Sequence, residues 1–531
     1  MLEASTLLRL ALPALVGLSL LLRLTGVGFG FPMLVHPDES AVVEPATRMI
    51  VEGTLDPGIF DRPNHLSIYL SAALFGPASM LQGEPVAVLR ETSPWVLHLV
   101  SRLVVVVLGT ALVVAAYYLG REFSVRVGYI LATLTAVFPL YVTHSHFATP
   151  DIPLTLLVTL VMLFALRYMR TRSPWYILLA VVAAALSTIE KYPGVAALLA
   201  PVAILVLTLR GRPAVLAASV GATVVGFAAA VVVLSPYLVL RFPDVIAALT
   251  AESRAQHLGQ DGLGFLGNLG YYAATFYREA GLVVSVASVV GLAALLMRRD
   301  ARLIPLALSG VFWIGLSVLA LHWDRWALPM FVGPLALAAI GLNAAIGYVQ
   351  LRWNRSRLAA GAVAVAVVIA LGAMVLSSAS DSVALGLRDT RLAALEALAM
   401  AGIRAEESAY DGYTPFNPGA PGTAIRKLAS GPDGSIRYAV ISSSMYERYV
   451  GDSQRYPREA RFYRTLLSSE PLMAFAPASQ AVAGDRSWWT GILDAVPELR
   501  NAAGAIRFLV EAATTEAPLN GPTIQVYRYP P

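Results

Sequence analysis

The sequence predicts an all-α polytopic membrane domain followed by a C-terminal soluble α/β domain. Of the 531 residues, 57% are hydrophobic and only 14% are charged, whereas soluble domains carry about 25% charged residues. Too little polar surface remains to cover a water-soluble globule of this length. Eleven apolar stretches approach the roughly 20 residues that a helix needs to cross a bilayer. After about Asp381 no stretch of that length occurs.

The apolar stretches define the predicted membrane domain, residues 1–380. They lie at 7–25, 95–119, 127–143, 152–169, 175–190, 193–209, 214–234, 281–297, 303–321, 327–349 and 358–378. The first lacks a small-residue cleavage site, so we expect a retained helix rather than a signal peptide. A further apolar segment at 65–82 is short and is interrupted by Gly76-Pro77. It belongs to an outer segment at about 38–82.

The distribution of arginine predicts the topology. Five loops are rich in arginine, and they contain Arg121 and Arg126; Arg170 and Arg172; Arg210 and Arg212; Arg298, Arg299 and Arg302; and Arg352, Arg355 and Arg357. Positive loops stay in the cytoplasm. Eleven crossings from a cytoplasmic N-terminus place all five there, whereas a crossing by 65–82 would invert every later loop. We therefore expect 65–82 to lie in the outer interface or to re-enter the membrane.

The last 150 or so residues, 381–531, are predicted to form the soluble α/β domain on the outer face. An amphipathic helix is expected at 389–401 and another at 458–467, with strands at 438–442 and 523–527. The absence of cysteine excludes disulfides and thiolate metal sites. The preference for arginine over lysine is typical of a bacterial protein, which here implies the inner membrane. Because the positive charges sit between apolar runs, no nucleic-acid partner is expected.

The remaining loops share a different chemistry and are predicted to lie outside. They combine acids, histidines and bases, namely Asp38 and Glu39; His144, His146 and Asp151; Glu190 and Lys191; and His322, Asp324 and Arg325. Anchors at the membrane surface alone would need neither carboxylates nor imidazoles. We therefore predict a functional site on the outer face.

The strongest candidates each have a structural alternative. Asp38 either caps the helix that begins near Glu39 or takes a proton from an acceptor hydroxyl. Arg62 either anchors the chain at the lipid headgroups or holds a lipid phosphate with its two-pronged guanidinium. Lys191 either pairs with its neighbour Glu190 or binds a phosphate.

The other candidates are weaker. His144 and His146, with Asp151 nearby, allow a divalent metal, but their spacing is not diagnostic and the metal content is left unknown. Asp151 alternatively caps the next helix. A substrate-binding role is assigned to these three residues and to a further set in the predicted outer segments: His65, Tyr69, Tyr192, His322, and Arg254 and His257 in the long loop 235–280.

Five short motifs occur in an informative order. They are "HPDE" at 36–39, "RP" at 62–63, "HFATPD" at 146–151, "KYPG" at 191–194 and "RWALP" at 325–329. In this order the chain resembles the GT-C superfamily of polyprenyl-phosphate-dependent glycosyltransferases. It is most similar to glycosyltransferase family 39, which contains protein O-mannosyltransferases and lipid A aminoarabinose transferases. The C-terminal "DTRLAALEAL" is similar to the periplasmic tails of bacterial members.

The resemblance implies a GT-C membrane domain and an inverting transfer of sugar from a polyprenyl monophosphate. The acid in the first outer loop would be the catalytic base, which corresponds to Asp38 with Glu39 beside it. Basic residues would bind the carrier phosphate, which corresponds to Arg62 and more loosely to Lys191 and Arg325. The lipid-linked sugar is a co-substrate, a divalent metal is compatible with the sequence but not indicated by it, and the acceptor is a lipid, a cell-wall glycan or a protein. The family's luminal β-trefoil has no counterpart here, which argues against protein O-mannosylation.

Two other classes of protein fit a chain of this kind. A transporter or flippase of a lipid-linked or anionic substrate would also have many spans and buried charges, and a non-catalytic membrane scaffold is the third alternative. Transporters place charged groups near the bilayer midplane and often consist of two similar halves. Here the unusual charges lie at one face and no repeat is visible, which favours the enzyme.

Overall fold

The computed structural model describes residues 4–252, 262–352, 357–419, 425, 436–478 and 496–529. Within these ranges, seven helices are long and apolar enough to cross a membrane. They are Pro94–Arg121, Asp151–Thr171, Tyr192–Leu209, Pro213–Leu234, Gly264–Met297, Asp324–Leu351 and Ala360–Gly386. The protein is therefore a mostly helical, multi-pass membrane protein, as predicted.

Four predicted spans coincide with shorter apolar helices. These are Leu10–Leu24, Val125–Val137, Pro174–Glu190 and Leu303–Ser317. Each of the eleven predicted spans thus overlaps an apolar helix. The number that crosses the membrane stays a prediction, as do the domain boundary at 380 and the orientation.

The predicted outer segment is built from short helices. They are Ser40–Glu52 and His65–Gln82, and three further short helices outside this segment are Val86–Thr92, Tyr237–Leu240 and Phe242–Glu252. Ser40–Glu52 is a single helix that contains Pro45. Proline removes one hydrogen bond from a helix. Burial of Val42, Val43 and Met49 against the His65–Gln82 helix keeps the remaining turns together.

Two long helices approach each other closely through glycines. A Cβ on Gly341, in Val332–Arg352, would lie 2.0 Å from the carbonyl oxygen of Ala287. A Cβ on Gly291 would lie 1.9 Å from the carbonyl oxygen of Leu337. Small residues allow such close contact between membrane helices, where dispersion forces rather than the hydrophobic effect drive packing.

The C-terminal residues form a mixed sheet with helices around it. Its strands follow the order Ser408–Tyr410, Tyr438–Ser442, Ile524–Arg528 and Met473–Phe475, the first pair being parallel and the others antiparallel. Its helices are Thr390–Met400, Ser443–Gly451 and Pro457–Leu467. The Pro497–Thr514 helix packs instead against the long helices Arg357–Gly386 and Gly264–Met297. Two further strands, Arg388–Asp389 and Leu519–Asn520, pair in parallel. The predicted helices and strands lie within about two residues of these bounds.

One arginine joins the C-terminal residues to the first outer loop. Arg391 is held by both carboxylate oxygens of Asp389, at 2.8 and 2.7 Å. It also donates to the carbonyl oxygens of Val35, at 3.2 Å, and Pro418, at 3.0 Å. Since Val35 is three residues before Asp38, the C-terminal part of the chain lies on the same side of the molecule as this acid.

We predict that Gly341→Ala destabilises the protein, because the new methyl group must displace the backbone of the facing helix. Overpacking of this kind typically costs about 1–3 kcal/mol. Gly347→Ala in the same helix is the matched control, since nothing lies within 4 Å of its Cβ position. Thermal unfolding in detergent, followed by tryptophan fluorescence, should show a lower midpoint for Gly341→Ala alone. Equal midpoints for the two variants would contradict this helix contact.

Candidate active site

The carboxylate of Asp38 lies between two arginines from distant parts of the chain. Oδ1 accepts a hydrogen bond from Arg62 at 2.6 Å, and Oδ2 accepts one from Arg325 at 2.5 Å. Asp38 stands in the turn before the Ser40–Glu52 helix, and Arg325 lies in the first turn of a 3-10 helix, Asp324–Phe331. The Asp38 side chain is 21% exposed. The convergence of this acid with two of its predicted cations is therefore observed.

Electrostatics keep this carboxylate ionised. Burial raises the pKa of Asp38. The charge and hydrogen bond of Arg325 and the charge of Arg62 lower it by more, so that the pKa is below its ordinary value. The helix-capping alternative is wrong, because no side chain caps the start of Ser40–Glu52. Asp38 is thus committed to the arginines rather than to the helix.

Glu39 points the other way, into the membrane domain. Its two oxygens accept hydrogen bonds from Nε and Nη2 of Arg102, at 2.8 and 2.9 Å, and Oε1 also accepts the Ala148 N–H at 3.0 Å. Both side chains are buried, with Glu39 1% and Arg102 0% exposed. Burial raises the pKa of Glu39, but Arg102 lowers it more. The predicted catalytic role therefore does not suit Glu39, whose oxygens are already bound inside the protein.

Arg102 was not among the predicted site residues. It also donates to the carbonyl oxygens of Val27, at 2.8 Å, and Phe29, at 3.0 Å, and its guanidinium lies 3.8 Å from the Phe29 ring centre. The available signal was an arginine within an otherwise apolar stretch, because such a residue needs a buried partner. This arginine therefore joins the Pro94–Arg121 helix to the backbone that precedes Asp38.

A second ion pair lies close to the first. Lys191 Nζ donates to Asp151 Oδ1 at 2.7 Å, and Nζ lies 5.7 Å from the ring centre of Trp326, next to Arg325. The charges of Asp151 and Arg325 also interact. Asp151 is 3% exposed and Lys191 25%. Asp151 therefore does not act as a helix cap, since no side-chain cap is present at that helix start.

The adjacent acid, Glu190, has a different partner. Its carboxylate accepts hydrogen bonds from the N–H of Ser67, at 3.0 Å, and from the Ser67 hydroxyl. The predicted alternative of a Glu190–Lys191 pair is therefore wrong. Neighbours in sequence diverge here because Lys191 is extended, at φ −156° and ψ 126°, where the helix Pro174–Glu190 ends.

The predicted histidines occupy two environments. His146 is buried, and its ring nitrogens face the carbonyl oxygens of Val142, at 2.9 Å, and Thr25, at 2.8 Å. The His144 ring lies edge-on to Phe147, with 5.6 Å between ring centres. His36, which the sequence did not single out, stacks on Phe147 at 4.6 Å, and burial lowers its pKa. In the part of the chain that the structure describes, no three histidines or acids are arranged to hold a metal ion.

Two of the weaker candidates form hydrogen bonds with other residues of the chain. His65 is buried between Ser235 Oγ, at 2.5 Å, and the carbonyl oxygen of Ile59, at 3.1 Å. The hydroxyl of Tyr192 donates to the carbonyl oxygen of Phe60 at 2.8 Å.

Two more of these candidates have similar surroundings. The Tyr69 hydroxyl donates to the carbonyl oxygen of Leu55 at 3.4 Å. The His322 ring lies 4.1 Å from the Tyr271 ring, centre to centre. Arg254 and His257 lie outside the described residues.

Comparison with known proteins supports the predicted superfamily. Residues 88–240 match the family model of dolichyl-phosphate-mannose-protein mannosyltransferases. No match was found among curated protein sequences. Among solved structures, the oligosaccharyltransferase of Archaeoglobus fulgidus is similar over 85% of this chain and 72% of its own, at 14% identity and a TM-score of 0.53.

A second solved structure is ArnT from Cupriavidus metallidurans bound to undecaprenyl phosphate. The similarity covers 85% of this chain and 95% of ArnT, at 14% identity and a TM-score of 0.49. The fold of this chain is thus similar to that of the archaeal enzyme. Together with the family match to residues 88–240, this similarity supports the predicted GT-C resemblance.

The family match covers only part of the charge cluster around Asp38 and Lys191. Residues 88–240 include the Asp151–Lys191 pair and Arg102, whereas Asp38, Arg62 and Arg325 lie on either side of the matched range. The complete charge cluster is therefore a feature of this chain's own three-dimensional structure.

We predict that Arg102→Leu strongly destabilises the protein, because it leaves Glu39 buried without its counter-charge. Breaking one side of a buried ion pair costs about 3–5 kcal/mol. Arg90→Leu is the matched control, since Arg90 pairs with Glu44 at 2.7 Å but both side chains are 44% exposed, and exposed pairs contribute about 0–1 kcal/mol. Unfolding in denaturant should separate the two variants. Similar losses would mean that the Glu39–Arg102 pair contributes no more than a surface pair.

Proposed function

We propose that this protein is an inverting glycosyltransferase. It moves a sugar from a polyprenyl-monophosphate donor to an acceptor hydroxyl at the extracytoplasmic face of the bacterial inner membrane. The observation that carries the proposal is the Asp38 carboxylate held by Arg62 and Arg325, with the Lys191–Asp151 pair beside it. Three cations, with Asp38 as the base, meet the needs of a reaction in which a hydroxyl loses a proton and a phosphate leaves.

The cations are suited to a lipid phosphate. The donor is a phosphodiester with one negative charge, and the departing polyprenyl phosphate gains a second. Arginine binds phosphate oxygens in pairs through its planar fork. Groups held in place before the reaction stabilise the developing charge without reorganisation. We assign Arg62 and Arg325 to the donor phosphate, with Lys191 as a third positive charge nearby.

Phosphate binding would also release the base. Without donor, Asp38 pairs with both arginines and balances one of their two positive charges. A phosphate that takes their hydrogen bonds frees the carboxylate to face the acceptor hydroxyl. In the transfer, the acceptor oxygen attacks the anomeric carbon and its proton passes to Asp38. The bond from the anomeric carbon to the phosphate oxygen breaks, and its electrons leave with the phosphate.

The low pKa of Asp38 determines the timing of proton transfer. A carboxylate cannot make an alkoxide in advance, because a hydroxyl is far less acidic than a carboxylic acid. The proton must therefore move as the new bond forms. One base and no covalent intermediate imply inversion at the anomeric carbon.

The family match supports a lipid-linked sugar as donor, since that family is described by a dolichyl-phosphate sugar. The five arginine-rich loops support the orientation, because positive loops stay cytoplasmic. The acceptor class stays open among lipid, cell-wall glycan and protein.

We predict that Asp38→Asn abolishes sugar transfer while the protein still folds. The amide keeps the shape of the side chain but accepts no proton, and loss of a general base lowers a rate by roughly 10²–10⁴-fold. Glu44→Gln, an exposed acid in the following helix, is the control. Turnover would be measured as consumption of polyprenyl-phosphate sugars by purified protein with envelope extract as the source of acceptor. Unchanged turnover in Asp38→Asn would remove this residue from its role.

We further predict that Arg62→Ala and Arg325→Ala weaken binding of undecaprenyl phosphate. A hydrogen bond to a charged group contributes about 1.5–3 kcal/mol, so each change should raise the dissociation constant roughly tenfold or more. Arg90→Ala, on the same side but paired with Glu44, should bind as the unaltered protein does. Titration in detergent provides the measurement. Equal affinities in all three variants would refute the assignment of the donor phosphate to these arginines.

A further inference from the structure

The Gly264–Met297 helix is broken where the C-terminal residues meet it. Gly281 has φ 82° and ψ 174°, which interrupts the helix within its length. A break of this kind leaves carbonyl groups before it and N–H groups after it without partners in the helix. Such groups need other partners when they are buried.

Two side chains of the Pro497–Thr514 helix supply these partners. Glu498 Oε1 accepts the N–H of Val283, after the break, at 2.7 Å. Asn501 Nδ2 donates to the carbonyl oxygen of Arg278, before the break, at 2.8 Å. Glu498 is 3% exposed. One helix of the C-terminal region therefore caps both sides of the break.

Glycine is required at this point for two reasons. Its φ lies in the left-handed region that other residues avoid. A Cβ on Gly281 would also lie 2.5 Å from the carboxyl carbon of Glu498. The Glu498 side chain therefore occupies space that is free only because residue 281 is a glycine.

The half of the helix before the break holds Asp324. Thr275 Oγ1 donates to Asp324 Oδ1 at 3.1 Å, and Arg278 Nη2 donates to Oδ2 at 2.8 Å. The Tyr271 hydroxyl also donates to Oδ1. The three donors lie on one face of the helix, since they are spaced by four and three residues. Asp324 directly precedes Arg325, the arginine bound to Asp38.

We propose that Glu498 and Asn501 are positioning residues for Arg325. By capping the break, they fix the direction of the helix segment that holds Asp324, and Asp324 in turn fixes the start of the 3-10 helix that presents Arg325 to Asp38. The C-terminal region thereby sets the geometry of the phosphate site through the helix break. This inference rests on the proposed function for its effect on the donor, but its structural part can be measured separately.

The structural part is tested by hydrogen–deuterium exchange on the full-length protein in detergent. Glu498→Ala removes the acceptor for Val283, and amide exchange should accelerate both at 282–286 and at 324–331. Glu498→Gln should exchange as the unaltered protein does, because its amide oxygen still accepts from Val283. Glu498 Oε2 has no partner among the described residues that the substitution would disturb. Arg507→Ala, an exposed change in the same helix, is the control.

The functional part is tested by titration with undecaprenyl phosphate. Glu498→Ala should raise the dissociation constant at least about fivefold, the lower end of the usual range for coupled sites, while Glu498→Gln and Arg507→Ala leave it unchanged. Asn501→Ala should change both measurements in the same direction and provides the test if Glu498→Ala does not fold.

The outcomes separate the two proposals. If exchange at 324–331 is unchanged in the alanine variants, the positioning inference is overturned. The same follows if Arg325→Ala weakens binding but both alanine variants bind normally. If exchange accelerates while Arg325→Ala binds as well as the unaltered protein, the link from the C-terminal helix to Asp324 is upheld and the proposed phosphate site is refuted.

Discussion

The structure of the site depends on one carboxylate shared by two arginines. Asp38 binds Arg62, 24 residues later, and Arg325, 287 residues later. It thereby joins the first outer loop, the segment before the His65–Gln82 helix and the start of a helix near the end of the membrane domain. An ion pair that is only partly buried contributes little to stability by itself. We propose that its importance is to hold two cations and one base at the same place until a donor phosphate takes the place of the acid.

The surroundings of Asp38 explain how such a shared acid is held. The next residue, Glu39, is directed inward to Arg102, so that two adjacent acids face opposite ways. Because a buried, doubly bonded carboxylate cannot leave its partner without a large penalty, Glu39 fixes the backbone next to Asp38. The Lys191–Asp151 pair confines the site on another side. The partly exposed charges are thus supported by buried ones.

Part of this arrangement can be predicted from the sequence, and part is visible only in the folded structure. The apolar runs predict the membrane helices, because each run has the length of a span, and the arginine-rich loops predict which acids and cations share a side.

The different partners of Asp38 and Glu39 could not be predicted from sequence, since the turn at 36–39 determines which of the two acids faces the core. The partner of Glu39 lies 63 residues away in Arg102. Lys191 likewise pairs with Asp151 rather than with its neighbour, because the chain is extended between Glu190 and Lys191. The cap on the helix break at Gly281 joins residues more than 200 positions apart, so no local sequence pattern predicts it.

The central claim is that a lipid phosphate replaces Asp38 as the partner of Arg62 and Arg325. A cryo-electron microscopy structure of the full-length protein with undecaprenyl phosphate tests it most directly. We expect phosphate oxygens within hydrogen-bonding distance, about 2.7–2.9 Å, of both guanidinium groups. The Asp38 carboxylate should be turned away from at least one of the two arginines, toward open space for an acceptor. A phosphate bound elsewhere, with both Asp38–arginine pairs intact, would contradict it.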